Sequence, residues 1–200
     1  MHLTLNARLK TDRPMKLLIV ITLFLSSFTI MGQKFHTKFK YAKSINRNIS
    51  IHNSYPKGGQ IYTDLNGKEY VYVIFWTCVT NETASELELS IDFQIDSFAI
   101  TSSPDTKFQL YLPKEKMTLE KESLFNFGLN LKSFLDKNID KPTELLTTIS
   151  PNDSYLFYVV ALSNQGINGA VRAGFELQKQ DLFYKINKHK IGCGRIVAKN

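Results

Sequence analysis

A two-sheet antiparallel β-sandwich carrying one short helix is the fold that this 200-residue chain predicts. Three observations lead there. Apolar residues recur with period two through most of the chain, turn-forming residues punctuate it at short spacing, and a single patch shows the helical period. No internal repeat, low-complexity linker or shift in composition marks a second domain.

The first element is a leader. In "MKLLIVITLFLSSFTIMGQ" Lys16 precedes a run over residues 17–25 that is apolar but for Thr22, followed by small and polar residues. This is the pattern of a secretory signal peptide, with cleavage near Gly32 and residues 1–14 upstream of a start at Met15. Counted to Met31 the run has 15 residues, short of the ~18 to 20 that a spanning helix needs. Residues 1–32 are thus read as upstream sequence and signal peptide, leaving no transmembrane segment, and residues 33–200 as one domain. A domain of that length buries roughly 70% of the surface its unfolded chain exposes, so it needs neither metal nor disulfide merely to fold. The leader resembles bacterial export signals of the Gram-negative kind, which places the chain in the periplasm or outside the cell.

The strands follow in order. "DLNG" over residues 64–67 supplies an Asn-Gly pair for a hairpin turn, both residues tolerating positive φ. Val71, Val73, Phe75 and Val79 alternate with Tyr70, Tyr72, Ile74 and Trp76, predicting a long strand covered on both faces. "NETAS" over 81–85 is short and polar, as in a tight antiparallel connection. Leu87, Leu89, Ile91, Phe93 and Ile95 then alternate with polar residues, predicting a half-buried strand. Residues 108–112 form a further strand that Pro113 stops. Leu131, Phe134 and Leu135 sit at i, i+3 and i+4, predicting a short helix closed by Pro142. Pro151, Asn152 and Asp153 suit a turn, after which residues 154–163 are apolar on both faces, as in an interior strand. Val171, Ala173, Phe175 and Leu177 predict its half-buried partner. With the N-x-T turn at Asn81 and the "SPNDS" step at 150–154, the pattern over residues 50–187 resembles bacterial immunoglobulin-like or fibronectin-like sandwich domains. That resemblance implies a fold class alone, because such sandwiches host many unrelated activities.

Chemistry has few places to reside. Ser163 follows a buried strand but lacks the flanking glycines of a nucleophile elbow. His36, His52 and His189 are isolated, and His189 with Cys193 supplies only half of a metal or thiol site. Asp136, Asn138 and Asp140 repeat the D-x-N-x-D start of a calcium loop, yet Lys141 and Thr147 stand where the EF-hand places Gly and Glu. No cofactor is expected. Cys78 and Cys193, the two cysteines of an exported chain, predict a disulfide closing a loop of about 100 residues. Sequons at Asn48, Asn81 and Asn152 read as turn chemistry in a bacterial setting. Tyr55 and Tyr62, beside two glycines, are candidates for an exposed platform that stacks sugar rings.

Charge is unevenly placed. Residues 34–63 carry six basic residues, among them Lys38 and Lys40, and no acid; residues 182–200 carry five, among them Lys185 and Lys190, again with no acid. The two ends therefore total +11 and the stretch between them −7. A disulfide joining Cys78 and Cys193 would bring the ends together as a basic surface for anionic lipid or acidic glycan. Export excludes nucleic acid as the expected partner. The functional expectation is a non-enzymatic, exported sandwich acting as an interaction or structural module of the cell envelope, with a carbohydrate-binding accessory domain as the alternative and a calcium-binding module as a weaker one.

Overall fold

The computed structural model describes residues 37–39, 49–100, 103–166 and 169–199. They form two antiparallel sheets. The first has seven strands: β1 (Thr37–Phe39), β2 (Ile49–Asn53), β4 (Glu69–Asn81), β9 (Ser154–Ser163), β7 (Ser103–Tyr111) and β6 (Phe98–Ile100) in spatial order, with β3 (Lys57–Thr63) also paired to β4. The second has five, in the order β10 (Ala173–Gln178), β11 (Asp181–Ile186), β12 (His189–Ala198), β5 (Leu87–Phe93) and β8 (Thr143–Ile149). Between β7 and β8 lies an insert of two 3-10 turns, Leu119–Ser123 and Phe125–Gly128, and one α-helix, α1 (Leu131–Asn138). Among the described residues no helix is long and apolar enough to cross a membrane.

The alternating sequence pattern becomes two cores. Val73, Phe75 and Val79 of β4 and Phe157, Val159 and Ala161 of β9 face the second sheet, meeting Leu89, Ile91, Phe175, Tyr184 and Ile196. Residues of opposite parity face outward. Tyr72, Ile74 and Trp76, with Tyr158, Val160 and Leu162, are covered by Met117, Phe127, Leu129, Leu131 and Leu135 of the insert. Each fully buried side chain of this size contributes about 1.5–3 kcal/mol, so the insert is a packed third layer rather than a loop draped over the sheet. That layer is why β4 and β9 are apolar on both faces. Pairing over ten residues, from Val71 opposite Ser163 to Thr80 opposite Ser154, makes them the spine of the molecule.

Two expectations about connection are corrected. "NETAS" does not join neighbours in one sheet: β4 and β5 lie in different sheets, and Asn81 makes the crossing. Fully buried, it donates through Nδ2 to Ser85 O (2.8 Å) and to Ile149 O of the other sheet (2.9 Å), and through Oδ1 it accepts from Thr83 N and Oγ1. This sequon is therefore a corner post. The second correction concerns β10, which alternates as expected but pairs β11 rather than β9. The Asp64–Gly67 turn joins β3 to β4 as the expected hairpin, with Gly67 at positive φ (82°) and Asp64 Oδ1 accepting from the amides of Asn66 and Lys68. The turn before β9 forms as expected, with Asn152 at φ 59°.

Two further ties close the sandwich. Leu112 N donates to Thr143 Oγ1 (2.9 Å), joining the sheets where the insert leaves and returns. At the opposite end Asn53 of β2 meets the free edge of β10: its Oδ1 accepts from Phe175 N (3.0 Å) and its Nδ2 donates to Phe175 O (3.3 Å). One side-chain amide thereby stands in for a strand backbone.

Candidate functional site

The insert turns the outer face of the first sheet into the most elaborated surface of the molecule. Its centre is a left-handed turn, with Asn126 (φ 49°, ψ 28°), Phe127 (φ 54°, ψ 30°) and Gly128 (φ 72°) in succession. L-residues resist this conformation by roughly 1–2 kcal/mol each; asparagine and glycine enter it readily, whereas Phe127 does so only under constraint. The constraints are visible. Phe127 is buried, its carbonyl accepts from Tyr158 Oη (2.8 Å), and Asn126 Nδ2 donates to Tyr72 Oη (3.1 Å). Lys57 of β3 lays its ammonium 4.4 Å above the Phe127 ring and donates to Glu122 O (2.6 Å) and Leu124 O (2.7 Å). Desolvation lowers the Lys57 pKa, and the nearby Glu122 carboxylate acts in the opposite sense.

The strained turn holds apolar side chains outward. Phe125 is 70% exposed, Leu124 50% and Leu119 51%, and Ile61 of β3 is 62% exposed. Between β3 and the insert runs a cleft of about 440 Å³ lined by Ile61, Thr63, Phe125, Asn126, Leu129 and Leu131, among others. A second cleft, of about 710 Å³, lies on another side of the insert, between α1 and the strands β5 and β8. Asp92 and Glu144 stand on its strand wall, and Lys114, Lys137 and Lys141 on the insert and its flanks.

The sites expected from sequence fare differently. Asp136, Asn138 and Asp140 do not form a calcium loop, because the first two lie in the last turn of α1, where helical pitch turns successive alternate residues apart. Asp136 accepts from Lys132 Nζ (2.8 Å) and Tyr62 Oη (3.0 Å), while Asn138 Nδ2 donates to Phe134 O. The Lys132 ammonium holds the Asp136 carboxyl below its ordinary range, and the Tyr62 hydroxyl adds to this. Among the described residues no group of three or more His, Cys, Asp or Glu side chains could hold a metal ion. Tyr62 is not an exposed platform: it is buried in the outer core beneath the insert, and desolvation followed by the Asp136 contact raises its pKa. Tyr55 is 49% exposed.

The disulfide is also corrected. Cys78 and Cys193 are free, and they lie on opposite sides of the first sheet: Cys78 points outward beside the insert core, Cys193 inward from β12. Burial raises the Cys78 thiol pKa and pushes that of Cys193 up to about 12. Without that link the proposed joining of basic termini loses its mechanism. Lys185 and Lys190 both pair with Glu176, at 3.3 and 3.0 Å, a carboxylate brought in by β10 rather than by their own segment. Desolvation pushes the Glu176 carboxyl up, and the two ammonium groups together outweigh it, leaving it below the ordinary range. The side chain of Lys38, and Lys40 entirely, lie outside the described residues, as do His36 and Asn48. Ser163 is a buried strand end whose Oγ donates to Val71 O and Gln165 O. His189 stacks on Phe98 at 5.1 Å, while Cys193 Sγ donates to Leu182 O, so each has a separate structural partner.

What the sequence pattern did not announce is the stretch from Pro113 to Asn130 and its packing, with the expected helix, over the first sheet. Its signals were present but faint: exposed Leu119, Leu124 and Phe125 without strand or helix period, and an Asn-Phe-Gly triplet fit for left-handed backbone. Comparison with protein-family models, curated proteins and solved structures returned no match.

Proposed function

We propose that the chain is an exported, non-enzymatic interaction module of the cell envelope, and that it receives an extended segment of a partner protein along β3. The leader motivates export. The observation that carries the binding reading is an open strand edge beside an apolar cleft: β3 pairs β4 on one side, and among the described residues no strand pairs the other. Exposed edges are normally guarded by charge, proline or a covering element, because their unpaired backbone groups recruit further strands. Beyond Lys57, whose ammonium is spent on insert carbonyls, β3 carries no charged residue. A bulge at Gly58–Gln60 blunts its first half and leaves Gln60–Thr63 in regular register. Strand addition of this kind takes affinity from backbone hydrogen bonds and specificity from side-chain pockets, here offered by Phe125 and the buried Leu129 and Leu131.

A carbohydrate-binding role is the weaker reading, since of its two rings only Tyr55 reaches the surface. The test is a photo-reactive phenylalanine placed at position 61, 125 or, as control, 148 on β8, with irradiation in the intact envelope. Positions 61 and 125 should crosslink the same short segment of one protein, and a synthetic peptide of that segment should bind the purified chain and lose affinity with Phe125→Asp. Equal adducts at all three positions, or none, would refute the proposal.

A further inference from the structure

We infer that the larger cleft, between α1 and the strands β5 and β8, binds a small zwitterion of about tripeptide size, its ammonium on the strand wall and its carboxylate on the helix wall. The inference does not rest on the β3 reading, which concerns a different cleft.

Charge is segregated across this cleft by secondary structure. The strand wall carries Asp92 and Glu144, directly opposite each other in the β5–β8 register and both on the solvent face. Like charges placed opposite across an antiparallel pair repel, so this position costs stability unless a cation sits over both. Gln94 Nε2 donates to Asp92 Oδ2 (2.6 Å), which relieves one oxygen without supplying charge. The facing wall carries Lys114 just after β7, Lys137 on α1 and Lys141 after it. Its one acid, Glu115, is already paired with Lys121 at 2.7 Å.

Despite sharing one cleft, among the described residues none of these three lysines forms an ion pair with Asp92 or Glu144. The walls do not collapse onto each other because they are pinned from behind. Leu112 N bonds Thr143 Oγ1 (2.9 Å), Tyr111 Oη donates to Ile139 O (2.6 Å), and Asn130 caps α1 through Ser133 N. Lys141 Nζ is also held on Lys137 O (2.7 Å), concentrating positive charge at the end of the helix. The space left is about 710 Å³, inside the roughly 300–1,000 Å³ typical of small-ligand sites. Its apolar floor is Leu112, Pro113, Leu129 and Phe134. A molecule with one ammonium, one carboxylate and a short body between them answers every part of this surface, and a short unblocked peptide has that form.

The probes are trialanine, its N-acetylated form, its C-terminal amide, and alanine as a single-residue control, titrated calorimetrically against the purified protein at low and high salt. Trialanine should bind in a salt-sensitive way and more tightly than alanine, and blocking either end should weaken it at least about tenfold, equivalent to ~1.4 kcal/mol. Glu144→Gln should shrink the penalty of acetylation while leaving that of amidation, and Lys137→Met should do the reverse. Both positions are solvent-exposed, so circular dichroism should be unchanged in both variants, while melting should hold for Lys137→Met and rise slightly for Glu144→Gln, which relieves the repulsion from Asp92. Equal affinity for all three tripeptides, no binding of trialanine at millimolar concentration, or variants that fail to separate the two ends would each overturn the inference.

Discussion

Replacing Asn53 by Ala should be among the most damaging single changes available outside the apolar cores. The side chain is 2% exposed and makes three bonds: Oδ1 accepts from Thr77 Oγ1 (2.9 Å) and Phe175 N (3.0 Å), and Nδ2 donates to Phe175 O (3.3 Å). Truncation strands a hydroxyl, an amide and a carbonyl, each costing about 1–3 kcal/mol when buried without a partner. A cavity of about 190 Å³ adjoins the seam, so water can reach part of the vacated edge and the total should settle near ~3 kcal/mol. That is a large share of the ~5–15 kcal/mol by which most domains are stable. Gly174 supplies the cross-check, because a Cβ there would lie 2.5 Å from Asn53 Cγ and 2.6 Å from Nδ2. Gly174→Ala alone should cost about 1–3 kcal/mol by overpacking, and less once Asn53 is Ala, since Cγ and Nδ2 are then gone and only Cβ remains, at 2.9 Å. Urea unfolding of the four proteins of the cycle, with midpoints and slopes compared, measures the coupling. A loss below ~1 kcal/mol for Asn53→Ala, or strict additivity of the two changes, would refute the idea that this amide seals the sheets.

Three other outcomes follow from the same structure. Gly194→Ala should break β12 from β5, because its Cβ would fall 2.0 Å from Ser90 O and 2.9 Å from Ile91 Cα, whereas Gly192→Ala meets only the Phe183 ring at 3.7 Å; soluble yield and melting temperature should separate the pair clearly. Tyr158→Phe should cost about 1–2 kcal/mol by orphaning Phe127 O, and should speed amide hydrogen exchange at Phe127 and Leu129 more than in β9. Both thiols should titrate in denaturant without reductant, and reductant should leave the melting temperature unchanged. The Cys193 thiol, raised to about 12, favours the folded state fully below the unfolded thiol pKa of about 8.5; above it the unfolded chain loses the proton first, so stability should fall from there towards pH 12, less steeply in Cys193→Ala.

The strands were legible because burial on one or both faces writes itself into a period of two. The alternation of β5, the apolar character of both faces of β4 and β9, the i, i+3, i+4 patch of α1 and the Pro-Asn-Asp turn before β9 are all local consequences of which side meets water. What period two does not encode is the identity of the surface on the far side. That β10 pairs β11, that β4 and β5 part at Asn81, and that the outer face of β4 is roofed by the insert follow from contacts between residues distant in the chain, and no local pattern distinguishes one apolar partner from another. The same limit governs the site. Tyr62 and the lysines at 185 and 190 looked available because their own segments offered no partner; Asp136 and Glu176 arrive from other elements. Cys78 and Cys193 could be counted in the sequence, but the parity that turns one outward and the other inward acts only once each sheet has a side. Likewise Asp92 and Lys114 come to face Glu144, Lys137 and Lys141 only in the folded chain, because β5 and the end of β7 reach this cleft only after packing has placed the walls that hold them.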